Sequence, residues 1–98
     1  MDLAAATTTL RERVGSDCGL NATLKFDCGD DGVVLIDGLS TPNSVDNNDR
    51  ETQCTVALTI ASLTDMLAGD LDPTTAFMTG KIKVSGDMSV ALKLQRVL

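Results

Sequence analysis

The sequence predicts an α/β (α+β) fold, because stretches whose apolar residues repeat every second position alternate with stretches where they repeat every third or fourth. Three observations carry this. Period-two patterns run over residues 20–28, 54–60 and 81–85. Helix punctuation stands at Gly15, Gly69, Asp72-Pro73 and Gly80. The length of 98 residues suits a single domain spanning residues 1–98, which buries roughly 60 to 70% of the surface its unfolded chain exposes.

Leu3, Ala6, Leu10 and Val14, with Thr7, set one stripe along a first helix that ends at Gly15, and Arg11 and Arg13 lie off it. From Leu20 to Cys28 the period is two: Leu20, Ala22, Leu24, Phe26 and Cys28 alternate with Asn21, Thr23, Lys25 and Asp27, the pattern of a half-buried strand. Gly29-Asp30-Asp31-Gly32 supplies turn chemistry before the apolar run Val33 to Ile36, so the two segments read as a β-hairpin. The polar cluster from Thr41 to Arg50 reads as a mobile loop or a frayed edge strand. Cys54 to Ile60 is another strand. Ser62 opens a helix with Asp65 three residues on, and Gly69 stops it. Asp72 caps a further short helix with Pro73 in its first position, where a missing N–H costs nothing, and Gly80 ends it. Lys81 to Ser85 gives a last strand with Ile82 and Val84 inward. Asp87 or Ser85 caps a final helix whose polar stripe is Ser89, Lys93 and Arg96, with Met88, Val90, Ala91, Leu92, Leu94, Val97 and Leu98 around the rest.

Composition excludes several classes. Apolar residues make up 43% and charged ones 22%, ordinary globular usage that favours neither disorder nor a membrane protein. Fourteen acidic against eight basic side chains give a net charge of −6, which repels phosphate backbones, so nucleic acid is not an expected partner. The charge is uneven: residues 1–80 hold 13 acids and 4 bases, and residues 81–98 hold 1 acid and 4 bases. Lys81, Lys83, Lys93 and Arg96 read as ordinary solvated faces or, more sharply, as a landing site for an anionic lipid head or a membrane surface touched transiently. No apolar run approaches the roughly 20 residues that span a bilayer, and Met1-Asp2-Leu3 lacks the layout of a secretory signal. A cytoplasmic location is expected. Cys18, Cys28 and Cys54 fit neither a disulfide framework nor a zinc knuckle, and read as reduced thiols acting as small core hydrophobes.

Catalytic chemistry is missing. The chain has no His, Trp or Tyr, so imidazole and phenol acid–base catalysis are excluded for this chain alone. Gly80-Lys81 lacks the rest of a phosphate loop, and no G-x-G-x-x-G occurs. Asp27, Asp30 and Asp31 beside Gly32 fail as a calcium loop, because Gly29 stands at position three and Gly38 where a bidentate glutamate is needed. Asp70 and Asp72 suggest an acid–base pair, yet capping explains Asp72 completely. No cofactor, metal or enzymatic activity is expected.

The run Gly69-Asp70-Leu71-Asp72-Pro73, followed by Ala76-Phe77-Met78-Thr79-Gly80-Lys81-Ile82-Lys83-Val84-Ser85-Gly86-Asp87-Met88, resembles the C-terminal half of the sterol carrier protein 2 family. The resemblance is strong over the C-terminal segment and faint near residues 40–53. It implies a five-stranded mixed sheet with helices over one face enclosing an apolar cavity. It also implies a non-enzymatic role: binding and transfer or sequestration of fatty acids, fatty acyl-CoA esters or sterol-like molecules. Periodicity alone places Leu63, Met66, Leu67, Phe77, Met78, Met88 and Leu92 in an ordinary core. The resemblance instead puts Leu67, Phe77, Met78, Ile82, Val84, Met88 and Leu92 along the lipid site, with Gln95 as a polar wall contact. A ligand then enters between the final helix and the two short helices, with Lys81, Lys83, Lys93 or Arg96 available to an anionic head.

Arg96-Val97-Leu98 is not the peroxisomal tripeptide that ends many animal members. Those members also carry a further C-terminal segment, so stopping at Leu98 leaves one cavity mouth exposed. With only Phe26 and Phe77 as aromatics, Leu, Val, Ile, Ala and Met fill the interior adaptably and leave gaps that a lipid chain fits. The alternative is a protein-interaction or structural domain that uses the same C-terminal helix to form a homodimer or dock on a partner enzyme.

Overall fold

A computed structural model of the chain describes residues 2–15, 19–40 and 42–93. Helix α1 (Leu3–Val14) opens at Asp2, whose carboxylate accepts the Ala5 N–H at 2.9 Å, satisfying one of the amides a helix start leaves unpaired. Its buried residues are Ala6, Thr7, Leu10 and Val14, the stripe expected from the three- and four-residue spacing. Buried Thr7 is fully occupied: its hydroxyl donates to Leu3 O at 2.7 Å and accepts from Asn47 Nδ2 at 3.0 Å.

Strands β1 (Thr23–Asp27) and β2 (Val33–Asp37) form the anticipated antiparallel hairpin, joined through a single 3-10 turn at Gly29–Asp31. The ladder is shorter than the alternation from Leu20 to Cys28. Asn21 takes a left-handed φ of 51°, which breaks the extended chain before Thr23, although Leu20 and Ala22 stay buried. The polar segment after β2 resolves in favour of the edge-strand reading. Strand β3 (Ser44–Asp46) pairs antiparallel with β2, inserting Val45 opposite Ile36.

Strand β4 (Cys54–Ala57) runs parallel to β1, and β5 (Lys83–Gly86) pairs antiparallel with β4, so the order β3-β2-β1-β4-β5 makes a five-stranded mixed sheet. Helices α2 (Ile60–Ala68), α3 (Pro73–Met78) and α4 (Met88–Ala91) complete the domain. Their buried residues Leu63, Met66, Leu67, Ala76 and Val90 join Leu10 and Val14 of α1 in one cluster with Leu24, Phe26, Val34, Ile36, Cys54 and Val56 of the sheet. Since successive strand residues face opposite sides, all four helices lie over the same face.

The other face is covered differently. Leu35 is buried yet stands outside that cluster. Its cross-strand partner Lys25 holds Asp49 Oδ1 at 2.8 Å and Arg50 O at 3.1 Å. Residues 47–53 connect β3 at one edge to β4 beyond β1, and Lys25 clamps this strap across the outer face.

Three boundaries differ from the sequence reading. Ser62 does not begin α2: Thr59 is its cap, accepting the Ser62 N–H at 3.1 Å, and the helix starts at Ile60. Strand β4 therefore stops at Ala57 rather than reaching Ile60. Strand β5 begins at Lys83 rather than Lys81, because the Lys81 and Ile82 amides still donate to Ala76 O and close the end of α3. Of the final helix only α4 and the turn at Leu92 and Lys93 are described; Leu94 to Leu98, and with them Gln95, lie outside the described residues, as does Cys18.

Candidate functional site

Helices α3 and α4 are each fixed by an aspartate at their first turn. Asp72 accepts the Thr74 and Thr75 amides at 2.8 and 3.3 Å, with Pro73 in the position where no amide is wanted. Asp87 accepts the Ser89 N–H at 2.9 Å and the Ser89 hydroxyl at 2.6 Å. The hydroxyl bond first, then the amide bond, holds the Asp87 carboxyl below its ordinary value. The Asp87 amide in turn donates to Gln53 O at 2.7 Å, which locks the start of α4 to the segment entering β4. Lys93 Nζ reaches Leu20 O at 3.2 Å and ties the far end of α4 to the segment that precedes β1.

Between these elements runs an apolar groove of about 290 Å³, lined by Pro73, Thr74 and Phe77 of α3, Ile82 and Val84 at β5, and Met88, Ala91 and Leu92 at α4. Among the described residues its walls contain no ionisable side chain, and Thr74 supplies the one hydroxyl. Ile82 forms the floor, buried against the core, whereas Phe77 and Met88 are each 49% exposed and Leu92 is 83% exposed. The groove is open to solvent on that side. The described residues thus form an open trough where the resemblance implied an enclosed cavity.

Of the residues anticipated for a lipid site, Phe77, Ile82, Val84, Met88 and Leu92 stand together in the groove. Leu67 does not join them. It is buried in the core beside Leu63 and Met66, and its carbonyl accepts a hydrogen bond from the Arg13 guanidinium. Consequently α2 does not flank the groove, and the mouth lies between α3 and α4. Met78 is 80% exposed and is not among the wall residues. Pro73, Thr74 and Ala91 line the groove without having been singled out. Their signal was helical spacing, because Pro73 and Thr74 precede Phe77 by four and three positions, and Ala91 follows Met88 by three.

Among the described wall residues there is no acid, base or thiol. Among the described residues no three His, Cys, Asp or Glu side chains gather in a metal-holding group. Burial, then the nearby Asp31 and Asp27 charges, push the Cys28 thiol up to about 11. Burial, then Asp87, also raises that of Cys54. Both are free and buried, so at neutral pH they remain protonated and poor nucleophiles. No helix among the described residues is long and apolar enough to cross a membrane.

The fold and groove define a small α+β domain with a hydrophobic trough between two capped helices and an edge strand. Residues 15–98 match the SCP-2 sterol transfer family, and the chain belongs to that family. It is 39% identical to sterol carrier protein 2 of Gallus gallus over 51 residues, covering 52% of this chain and 9% of that protein. It is 58% identical to hydroxysteroid dehydrogenase-like protein 2 of Xenopus laevis over 33 residues, covering 34% and 8% respectively. The chain therefore matches less than a tenth of the length of either relative. Palmitated SCP2L2 from Aedes aegypti superposes with a TM-score of 0.75 at 23% identity, over 99% of this chain and 94% of that one. The sterol carrier protein domain 2 of Helicoverpa armigera gives 0.69 at 22%, over 94% and 80%. At these identities the likeness is one of fold.

Proposed function

We propose that this domain is a non-enzymatic lipid-binding module that takes the apolar portion of a fatty acid, fatty acyl-CoA ester or sterol-like molecule into the groove, for transfer or sequestration. The observation that carries this reading is a groove whose described wall residues have one hydroxyl and no charge, so none of them neutralises a buried ionic head, and a head placed among them is disfavoured. Phe77, Ile82, Val84, Met88 and Leu92 are the proposed contacts. Family membership and the palmitated relative support the same class of ligand.

The volume sets the scale of the interaction. At about 30 Å³ per water-sized group, a 290 Å³ groove accommodates about ten such groups. Ten methylenes, if fully buried at about 0.8 kcal/mol each, supply about 8 kcal/mol before association costs, which is an upper limit for a trough open on one side. That sum permits reversible binding without covalent chemistry, as a carrier requires.

Native mass spectrometry of the purified protein, followed by denaturing extraction and lipid identification, tests the proposal. A co-purifying mass that extracts as a lipid, or binding of an acyl probe by the delipidated protein that Val84→Asp abolishes, is the expected result. A bare protein indifferent to fatty acid, acyl-CoA and sterol probes would falsify it.

A further inference from the structure

We infer that the open edge of strand β5 is an interface between two copies of this chain, which pair antiparallel through β5 and join their sheets into one. The inference uses the strand edge and holds whatever fills the groove. Strand β5 ends the order β3-β2-β1-β4-β5, and its Lys83, Ser85 and Gly86 are exposed. The opposite edge is closed: the Arg11 guanidinium donates to Val45 O of β3 at 3.0 Å and covers an acceptor that pairing would need. On β5, main-chain direction shows what is on offer. Bonded and non-bonded pairs alternate along an antiparallel ladder. The Asp87 N–H donates to Gln53 O, so Ser85 and Lys83, opposite Thr55 and Ala57, spend their main-chain groups on β4. The intervening Val84 and Gly86 turn theirs toward the open edge. The Gly86 carbonyl points outward because it lies across the same planar peptide from the Asp87 N–H. Among the described residues these outward groups have no hydrogen-bond partner, and such an edge is a template for another strand.

The occupant is a second copy because β5 complements itself in one register. About a two-fold axis through Ser85, Val84 exchanges both main-chain bonds with the partner's Gly86, and Gly86 does the same with the partner's Val84. Every outward group is then satisfied. The same register sets Lys83 opposite the partner's Asp87 and Asp87 opposite the partner's Lys83, so each flank of the joint brings opposite charges together. Both side chains are exposed. Neighbouring registers fail. An axis through Val84 requires the Ile82 N–H, which Ala76 O already holds, and an axis through Gly86 requires Met88, which has entered α4. The axis stands perpendicular to the sheet, so the helices of both copies lie on one side of the joint. There the exposed groove residues Met88 and Leu92 add apolar surface to the main-chain bonds.

Light scattering of the whole chain over a concentration series, joined to disulfide trapping, tests this. A dimer that dissociates on dilution is expected. Lys83→Glu makes both flanking pairs repulsive and should raise the dissociation constant about tenfold. Lys81→Glu, the same change of charge just before the strand, should leave it within about twofold. The two copies of Ser85 face each other as a non-bonded pair with Cα atoms about 4.5 Å apart, within the reach of a disulfide. Oxidation of Ser85→Cys with diamide should therefore trap a covalent dimer linked through the introduced thiols, identified by peptide mass spectrometry. Lys83→Cys should trap none, because the two copies of residue 83 lie about 14 Å apart along the paired strands. Thermal midpoints show that each variant folds. A monomer throughout the native series overturns the inference. So does a dimer that is indifferent to Lys83→Glu, that Lys81→Glu weakens equally, or that is trapped through residue 83 instead of residue 85, since its interface or its register is then a different one.

Discussion

Cys28 shows how one side chain couples packing to pH. The strand alternation buries it, and the turn that follows places Asp31 near it and Asp27 beside it in sequence, so the folded thiol holds its proton up to about 11 against an ordinary value of 9.0. The folded state thus binds that proton more tightly than the unfolded chain. The associated stability is whole below about pH 9 and is lost as pH rises toward 11. Thermal midpoints at about pH 8 and about pH 10.5 should diverge for the native protein, and Cys28→Val should narrow the gap. An unchanged gap would show that the thiol does not share in the loss. Gly86 acts by a different cause. Its φ is +95°, and a Cβ there overlaps the carbonyl oxygen of Gln53, the same oxygen that receives the Asp87 amide. Gly86→Ala should cost about 1 to 3 kcal/mol, seen as a lower thermal midpoint. It should also weaken acyl-probe binding, because Asp87 sets the start of α4.

Single aspartates fix two of the groove's three elements, and their effects belong to the helices they start. Helix α3 has six residues, too few to form alone, so its persistence depends on the Asp72 cap, Pro73 and the burial of Ala76. Asp72→Ala should lower stability by about 1 kcal/mol, and should reduce ligand affinity by more than it reduces the affinity of a variant altered in α1, since Phe77 rides on α3. Urea denaturation and acyl-probe titration measure the two effects. The Asp72 cap was legible in the sequence because Asp-Pro has short-range chemistry, whereas Asp87 was one of two candidates beside Ser85. The hairpin was legible for the same reason, with turn residues between a period-two run and a compact apolar run. What escaped is non-local. Thr59 rather than Ser62 starts α2, a choice between two hydroxyls that depends on where β4 leaves the sheet. The strap over Leu35 depends on Lys25 meeting Asp49 across the fold. Leu67 and Phe77 are both apolar helix residues, and only the packing of α2 against α1 decides that the first is core and the second is groove wall.

At the scale of the molecule, core and groove are distinguishable by what each contributes to the empty protein. Leu63 is inaccessible in the cluster under the sheet, while Leu92 is 83% exposed. Truncating a residue like Leu63 removes buried contacts and costs about 2 to 5 kcal/mol. Leu92→Ser should change the stability of the delipidated protein by no more than about 0.5 kcal/mol. The difference should appear when ligand is added. A ligand that binds only the folded state at a hundred times its Kd adds about 2.7 kcal/mol. For a domain of this size that raises the thermal midpoint by about 10 to 20 °C. The native protein should show that rise with a long-chain fatty acid. Leu92→Ser should melt with the native protein when empty and gain less when loaded, because its lost contacts are with the ligand alone. If Leu92→Ser instead lowered the midpoint of the delipidated protein by as much as a core truncation, the exposed rim would be part of the fold's own packing, and the groove would be filled from within the protein.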